Sequence, residues 1–371
     1  MNVGSGKVRL HINAVGAIMG GAARHLRPFL AEVIRIRPGW EVVVYASPDS
    51  PALPDAGVEV RTIARTGRKR IVWDTITVGQ VADRDGADVL LNLANYGPIR
   101  SPVPSVLYQR NPVYFDPTWV RTRTSKQRSE AYLRRQLAYM QMRGSAATVV
   151  PSYAMAGYLH SWRGFPATTR IEIIPHAVDL ERFSFEPAKR SGRIAIVSLS
   201  HAAPHKGQEL LVDMIGELRH RGVDAFLEAS ISDDDDPNYV ASLREHVRRS
   251  RLDEYFRFVG RVDAATFLAG AHVMVFPSRT ESFGFPLVEA MARGVPVVAS
   301  AIPSTRETLG DVGWYFPVGN PRAAADQVIA VIQSTPQDLD VRLQAARAAA
   351  ASYSWERNAA TVVQLLESVA R

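Results

Sequence analysis

At 371 residues the chain is too long for one ordinary domain and fits two. It has no cysteine, which excludes disulfides and thiolate metal sites. No stretch approaches the roughly 18 apolar residues of a membrane span. The net charge of +7 suits an anionic ligand or an anionic membrane surface. Its basic residues are scattered and form no dense tract, so no nucleic-acid partner is expected. The start of the chain has one early lysine and then a strand-like run, without the long apolar core of a signal peptide. A cytoplasmic location is expected.

In the first half, short apolar runs alternate with helical patterns. Residues 8–15 read as a strand, 16–21 as a flexible turn and 22–36 as a helix. Strands are expected at 40–45 and 58–63, a helix at 73–85, and buried strands at 89–93 and 106–109. Residues 125–143 carry a strong helical pattern, with Tyr132, Leu133, Leu137, Met140 and Met142 among basic residues, and a strand follows at 147–151. The chain crosses to a second unit in the proline- and charge-bearing segment 179–191. The pattern then repeats, with strands at 194–199, 224–230, 256–259 and 273–276 and helices at 208–221, 240–249 and 264–269. Later helices are expected at 323–333, 339–351 and 355–370. Alternation of this kind implies an α/β protein with parallel sheets and helices on both faces.

Residues 280–300, TESFGFPLVEAMARGVPVVAS, hold the densest chemistry. Glu281 and Glu289 are separated by seven residues. The first precedes a glycine-bearing loop, 282–286. The second is expected in the first turn of a helix beginning near Leu287, ahead of a strand at 295–299. A helix N-terminus offers unpaired N–H groups to a phosphate. Carboxylates beside it then suit neutral hydroxyls. The combination fits a sugar nucleotide, with donors for the pyrophosphate and acceptors for ribose and sugar.

These residues closely resemble the E-x7-E signature of the retaining, nucleotide-sugar-dependent glycosyltransferases of family 4, the group 1 glycosyl transferases, which have the GT-B fold. RIEIIPHAVDLERF at 170–183 is similar to that family's I-P-N-G-V-D-x-x-x-F segment. Residues 194–212 resemble its strand, loop and helix with a phosphate-binding lysine, and YSWER at 353–357 its closing helix start. The resemblance covers the C-terminal half almost throughout and the N-terminal half loosely. It implies two Rossmann-like doubly wound domains facing a central cleft. An acceptor-binding domain is expected at 1–185, a nucleotide-sugar domain at 186–352, and a C-terminal helix at 353–371 that returns to the first domain.

Glu289 can accept bonds from both ribose hydroxyls, and the resemblance implies that role. Glu281 is the candidate for the donor sugar's hydroxyls. Loop residues Ser282, Phe283, Gly284 and Phe285 would bring N–H groups to sugar or pyrophosphate, with ring packing as the plainer reading of the two phenylalanines. Lys206, in H-K-G at a helix entry, can neutralise a diphosphate leaving group. The family usually has an arginine five or six residues before this lysine. Here His201 and Ser200 stand there, so the second cation is unassigned and His201 is the candidate. Arg193 begins the preceding strand and is not expected to reach. Arg261 and Val262 follow a glycine whose neighbours contact the base in the family.

In the first half, Gly20 and Gly21 match the family's first-strand glycine loop for phosphate or acceptor. Where many relatives have a histidine facing the donor sugar, this chain has Tyr108-Gln109-Arg110-Asn111-Pro112. Asn111 or Gln109 can hydrogen-bond a hydroxyl there, but neither is a general base. A simple strand-end turn is the competing reading. Asp233–Asp236 is expected to be a solvated loop, and no metal or other cofactor is expected.

The expected activity is transfer of a hexosyl-type sugar, with retention, from a nucleoside diphosphate sugar (UDP, GDP or another base) to a small-molecule or lipid-linked glycan acceptor. Bacterial cell-surface glycan or natural-product synthesis is the expected setting. A lipid-linked acceptor would bring peripheral contact with the inner membrane face through the 125–143 helix, for which an amphipathic core helix is the alternative. A nucleotide-sugar epimerase of the same architecture is the alternative activity. It would need acid/base groups in both domains and lacks this E-x7-E arrangement. A nucleotide-sugar-binding protein without activity is the third.

Overall fold

The computed structural model describes residues 7–18, 20–50, 53, 57–188 and 192–371. The chain forms two compact units, Met1–Ala177 with Ser354–Arg371, and Val178–Tyr353. The end of the expected crossing segment, 189–191, lies outside the described residues.

The first unit is built on seven parallel strands: β1 (Arg9–Asn13), β2 (Glu41–Ala46), β3 (Val58–Thr62), β4 (Val89–Asn92), β5 (Ser105–Tyr108), β6 (Ala147–Val150) and β7 (Ile171–Ile173). Their order is β3-β2-β1-β4-β5-β6-β7, so the direction of winding reverses between β1 and β4. Strand side chains alternate between faces. Val42 and Val44 pack with Phe29 and Val33 of the helix Gly20–Ile36 and with Val362 and Leu366 of the helix Trp355–Val369. Val43 and Tyr45 point the other way, onto Trp73 and Val78. The closing helix is thus part of the first unit's core.

The second unit repeats the plan with β8 (Ile194–Ser198), β9 (Ala225–Ala229), β10 (Phe256–Phe258), β11 (Val273–Phe276), β12 (Val297–Ser300) and β13 (Trp314–Phe316), in the order β10-β9-β8-β11-β12-β13. Every pair is parallel, with Val273 beside Ile196 and Met274 beside Val197. Leu211, Met214 and Ile215 of the helix Glu209–His220 and Val328 and Val331 of Pro321–Gln333 cover one face. Leu287 and Met291 of Phe285–Arg293 and Ala346 and Ala350 of Pro336–Ala350 cover the other. These are two doubly wound α/β sheets, the GT-B type of architecture. In each, the reversal point places loops from neighbouring strand ends side by side, the usual ligand position in such sheets.

Several expectations shift. Gly20 and Gly21 do not lie in a flexible loop; they are the first two residues of the helix Gly20–Ile36, and Met19 before them lies outside the described residues. The 73–85 helix starts earlier, at Gly67, and runs through a π-turn at Trp73–Thr77. The helix carrying Glu289 begins at Phe285, because Gly284 adopts φ +89° and Pro286 follows in the first turn. Glu289 therefore sits in its second turn, not its first. The expected 125–143 helix is Ser125–Arg143, started by a Thr124–Gln127 capping box. It buries Ala138, Tyr139 and Met142 and leaves Tyr132, Leu133 and Met140 exposed.

Candidate functional site

The second unit's reversal point lies between β8 and β11, and the loops that follow these strands carry Lys206 and Glu281. The ammonium Nζ of Lys206 is 2.5 Å from Oε2 of Glu281. Both side chains are largely covered, at 11% and 13% exposure. The other carboxylate oxygen of Glu281 accepts from the N–H of Ser282 at 3.0 Å. Two residues distant in sequence thus meet because parallel strands end at the same level.

Local chemistry fixes Lys206. It ends a short 3-10 turn, Pro204–Lys206, and Gly207 follows at φ +66°. A Cβ on Gly207 would lie 2.5 Å from the carbonyl oxygen of Pro277, so only glycine lets the two loops approach this closely. The buried Gln208 ties the loop from behind. Its Nε2 donates to Ser200 Oγ at 3.0 Å and to the His201 carbonyl at 2.8 Å. The N–H of Arg279 donates to the His205 carbonyl at 2.8 Å, joining the two loops again.

His201 sits in the field of this pair. Although the residue is exposed, protein packed around its ring removes hydration and lowers its pKa. Lys206 adds to that lowering, and Asp235 and Glu281 oppose it. The imidazole is therefore a neutral donor or acceptor near neutral pH. Arg193 is committed elsewhere: it pairs with Asp224 and stacks over Tyr255. Arg279, which sequence reasoning passed over, brings a guanidinium to these loops, with Nε 3.5 Å from where a Gly207 Cβ would stand. It pairs with Glu209, which also accepts from Tyr239. Its signal was its place two residues before Glu281.

Ser282, Phe283 and Gly284 are buried and Phe285 is half-buried. The Phe283 ring packs edge-on against Phe285 and Tyr353, and its carbonyl accepts from Thr308. The plainer packing reading therefore describes both rings, while the loop backbone still leads into the helix N-terminus. Glu289 is 6% exposed. Arg261 and Val262 lie after β10, an edge strand separated from β8 by β9, and stand apart from the Lys206–Glu281 pair in the sheet. The acidic run 233–236 is not a solvated loop throughout. Asp235 accepts from the N–H groups of Ala202 and Ser232, Asp236 caps the helix Pro237–Arg249, and Asp233 pairs with Arg244. Asp235 thereby anchors the loop that carries His201.

In the first unit, Gly20 and Gly21 open a helix and Asn111 caps a short turn, its Oδ1 accepting from Val113 N–H at 3.0 Å. The strand-end turn is thus what Asn111 forms, and its amide NH2 is what remains for a ligand. Gln109 is buried, with Oε1 near the N–H of Asn111. At this sheet's reversal point stands a polar group the sequence did not reveal. Asn13 ends β1 and Asn92 ends β4, and Asn13 donates to the buried Asp74 at 2.8 Å. Burial raises the Asp74 pKa against the pull of Asn13 and Arg70.

Comparison with known proteins gives the same picture. The family described as "Glycosyltransferase Family 4" matches residues 19–182, and "Glycosyl transferases group 1" matches residues 193–334. A phosphatidyl-myo-inositol mannosyltransferase of Mycobacterium leprae is 33% identical over 211 residues, 53% of this chain and 53% of that protein. The chain thus spans about half the length of the curated relatives it matches. Sucrose-phosphate synthase of Thermosynechococcus elongatus superposes with a TM-score of 0.77 at 18% identity, covering 97% of this chain and 98% of that one. Anabaena HepE in complex with UDP-glucose superposes with a TM-score of 0.74 at 18% identity, covering 97% and 99%. At these identities the structural matches speak for the fold alone. With both halves matched by the same group and the fold to go with them, the chain belongs to the group 1, family 4 glycosyltransferases.

Proposed function

We propose that this protein is a retaining, metal-independent glycosyltransferase that moves a hexosyl sugar from a nucleoside diphosphate sugar to a hydroxyl acceptor. The observation that carries the reading is the Lys206–Glu281 contact at the second sheet's reversal point, with the buried Glu289 on the helix that follows. The mannosyltransferase name of the M. leprae relative supports a hexose donor.

The chemistry follows from charge. A diphosphate leaving group gains negative charge as the glycosidic bond lengthens, so a fixed cation stabilises the transition state more than the ground state. Lys206 would supply that cation, and the N–H groups at the start of Phe285–Arg293, the helix that follows Glu281, would add donors. A diphosphate would compete with Glu281 for the ammonium. Glu281 would then be free to accept bonds from sugar hydroxyls, and Glu289 would take the ribose. No covalent nucleophile is required if the departing phosphate itself takes the acceptor proton on the face it leaves, which gives retention. The first unit would hold the acceptor. A peripheral membrane contact through the exposed Tyr132, Leu133 and Met140 among basic neighbours belongs to the lipid-linked version of this reading.

The first test is thermal melting with UDP, GDP, ADP and dTDP, with and without magnesium. Stabilisation by one of them without metal supports the donor site and names its base. The matching nucleotide hexoses are then offered with candidate acceptors, and the anomeric configuration of any product is read by NMR. Inversion at the anomeric carbon, or an epimerised donor with no glycoside, would overturn the reading.

A further inference from the structure

Arg110 follows β5 in the first unit and is 8% exposed. All three guanidinium nitrogens are covered, and none has a hydrogen-bond partner among the described residues. Its backbone N–H donates to Asn95 Oδ1 at 2.7 Å. The guanidinium carbon lies 4.4 Å from the centre of the Tyr108 ring, a cation–π contact that leaves all five N–H donors unused. A buried cation in that condition is costly unless an anion joins it.

The described residues around the guanidinium include groups able to donate. The His25 ring lies 5.5 Å from Tyr108 and 5.4 Å from the ring of His176. His25 is fully buried, and neither of its ring nitrogens has a hydrogen-bond partner among the described residues. The Tyr108 hydroxyl is in the same position. Burial and the Arg110 charge hold both histidines neutral. Among the described residues, no carboxylate is among the charges that act on Arg110, Tyr108 or His25. Arg110 is therefore a positive charge with no counterion among the described residues, beside neutral groups able to donate.

We propose that Arg110, with His25 and Tyr108, is a phosphate-binding site of the first unit. The donors outnumber what the two oxygens of a carboxylate can accept and suit an anion with three or four oxygens. The phosphate comes either from solution or as a group carried by a larger ligand. Entry requires local opening around the guanidinium. The inference does not rest on the transferase reading, because every residue in it belongs to the first unit and the diphosphate groups assigned above belong to the second.

The test is thermal melting of the full chain at constant ionic strength with chloride, acetate, inorganic phosphate and glycerol 1-phosphate, for wild type, Arg110→Met and Arg110→Lys. Wild type is expected to melt a few degrees higher in phosphate than in chloride. Arg110→Met should lose that shift and, in chloride, melt no lower than wild type, because an apolar side chain of similar length replaces an unpaired charge. Should the methionine variant fail to fold, Arg110→Lys keeps the charge without the fork and is expected to need at least tenfold more phosphate. A larger response to glycerol 1-phosphate than to phosphate assigns the site to a ligand-borne group, and equal responses assign it to the free ion. A response to acetate alone, no wild-type response to any of these anions, or an undiminished shift in both variants overturns the proposal. A nucleoside diphosphate arm separates this outcome from failure of the donor site, since its shift depends on Lys206 and not on Arg110.

Discussion

Lys206 and Glu281, 75 positions apart in sequence, form a largely covered ion pair with 2.5 Å between Nζ and Oε2. Each is the other's counterion, and each is also assigned to the donor. Those two duties separate under mutation. Removing one partner of a covered pair costs about 3–5 kcal/mol, whereas removing both charges together is close to neutral. Lys206→Met and Glu281→Gln are therefore each expected to lower the melting temperature, and the double variant to recover most of it. Turnover should behave differently, falling about 10²-fold or more in each single variant and staying low in the double. A double variant that regains both stability and turnover would sink the catalytic assignment and leave the pair a structural one.

Glu289 lies in the second turn of its helix and is 6% exposed, so its carboxylate has few routes to bulk water. If it takes the ribose hydroxyls, Glu289→Gln should weaken binding of the preferred nucleoside diphosphate by about 1.5–3 kcal/mol, the range for a hydrogen bond to a charged group. The wild type should also prefer the ribonucleotide over its 2′-deoxy form, and the variant should lose that preference. Titration calorimetry with both nucleotides reads this. Equal discrimination in the two proteins would move the ribose contact elsewhere.

Gly207 and Gly222 make a matched pair of tests. Both have positive φ, +66° and +75°, but a Cβ at Gly207 would meet the Pro277 carbonyl at 2.5 Å, while one at Gly222 would meet nothing within 4 Å. Alanine at Gly222 should cost about 1–2 kcal/mol, the conformational term alone. Alanine at Gly207 should cost a further ~1–3 kcal/mol for the clash. It should also depress turnover, because the clash pushes apart the loops carrying Lys206 and Glu281. Equal melting losses in the two variants would mean that the loops can part without consequence.

The second unit was read well from sequence because its central strands are continuous apolar runs bounded by turn residues. The expected strand 273–276 is β11 itself, and the motif that follows it sits where two strand ends meet. The three-residue strands β7 and β13 were not found, since IEI and WYF are too short to show a period. The start of the Glu289 helix was misjudged by two residues, although Gly284 and Pro286 were available as signals. The Arg110 cluster could not be seen at all. Its members come from positions 25, 108, 110 and 176, and only the order of strands and the return of the chain bring them together. Asp235 was misread for a similar reason, because its partner Ala202 belongs to another loop.

Three histidines of the first unit are buried in neutral form, which makes stability fall toward acid. His11 is the clearest: burial first, with the charges of Arg9 and Arg61, lowers its pKa from 6.5 to about 4 against the opposing pull of Asp85 and Glu59, and its Nδ1 lies 2.8 Å from the Tyr45 hydroxyl. Below pH 6.5 the unfolded chain gains a proton at this position that the folded chain does not take until near pH 4. Folding is thus fully favoured by this group above pH 6.5 and loses about 3 kcal/mol as the pH falls to 4. His25 and His176, also lowered by burial, act in the same direction. Urea unfolding at pH 7, 5.5 and 4 should show a steep loss over that window. In His11→Phe the loss should be shallower by about 3 kcal/mol at the acid end, and the Tyr45 hydroxyl would keep its contact with Asp85 at 3.2 Å. An unchanged acid slope in the variant would show that His11 is protonated in the folded state, and the burial argument for it would fail.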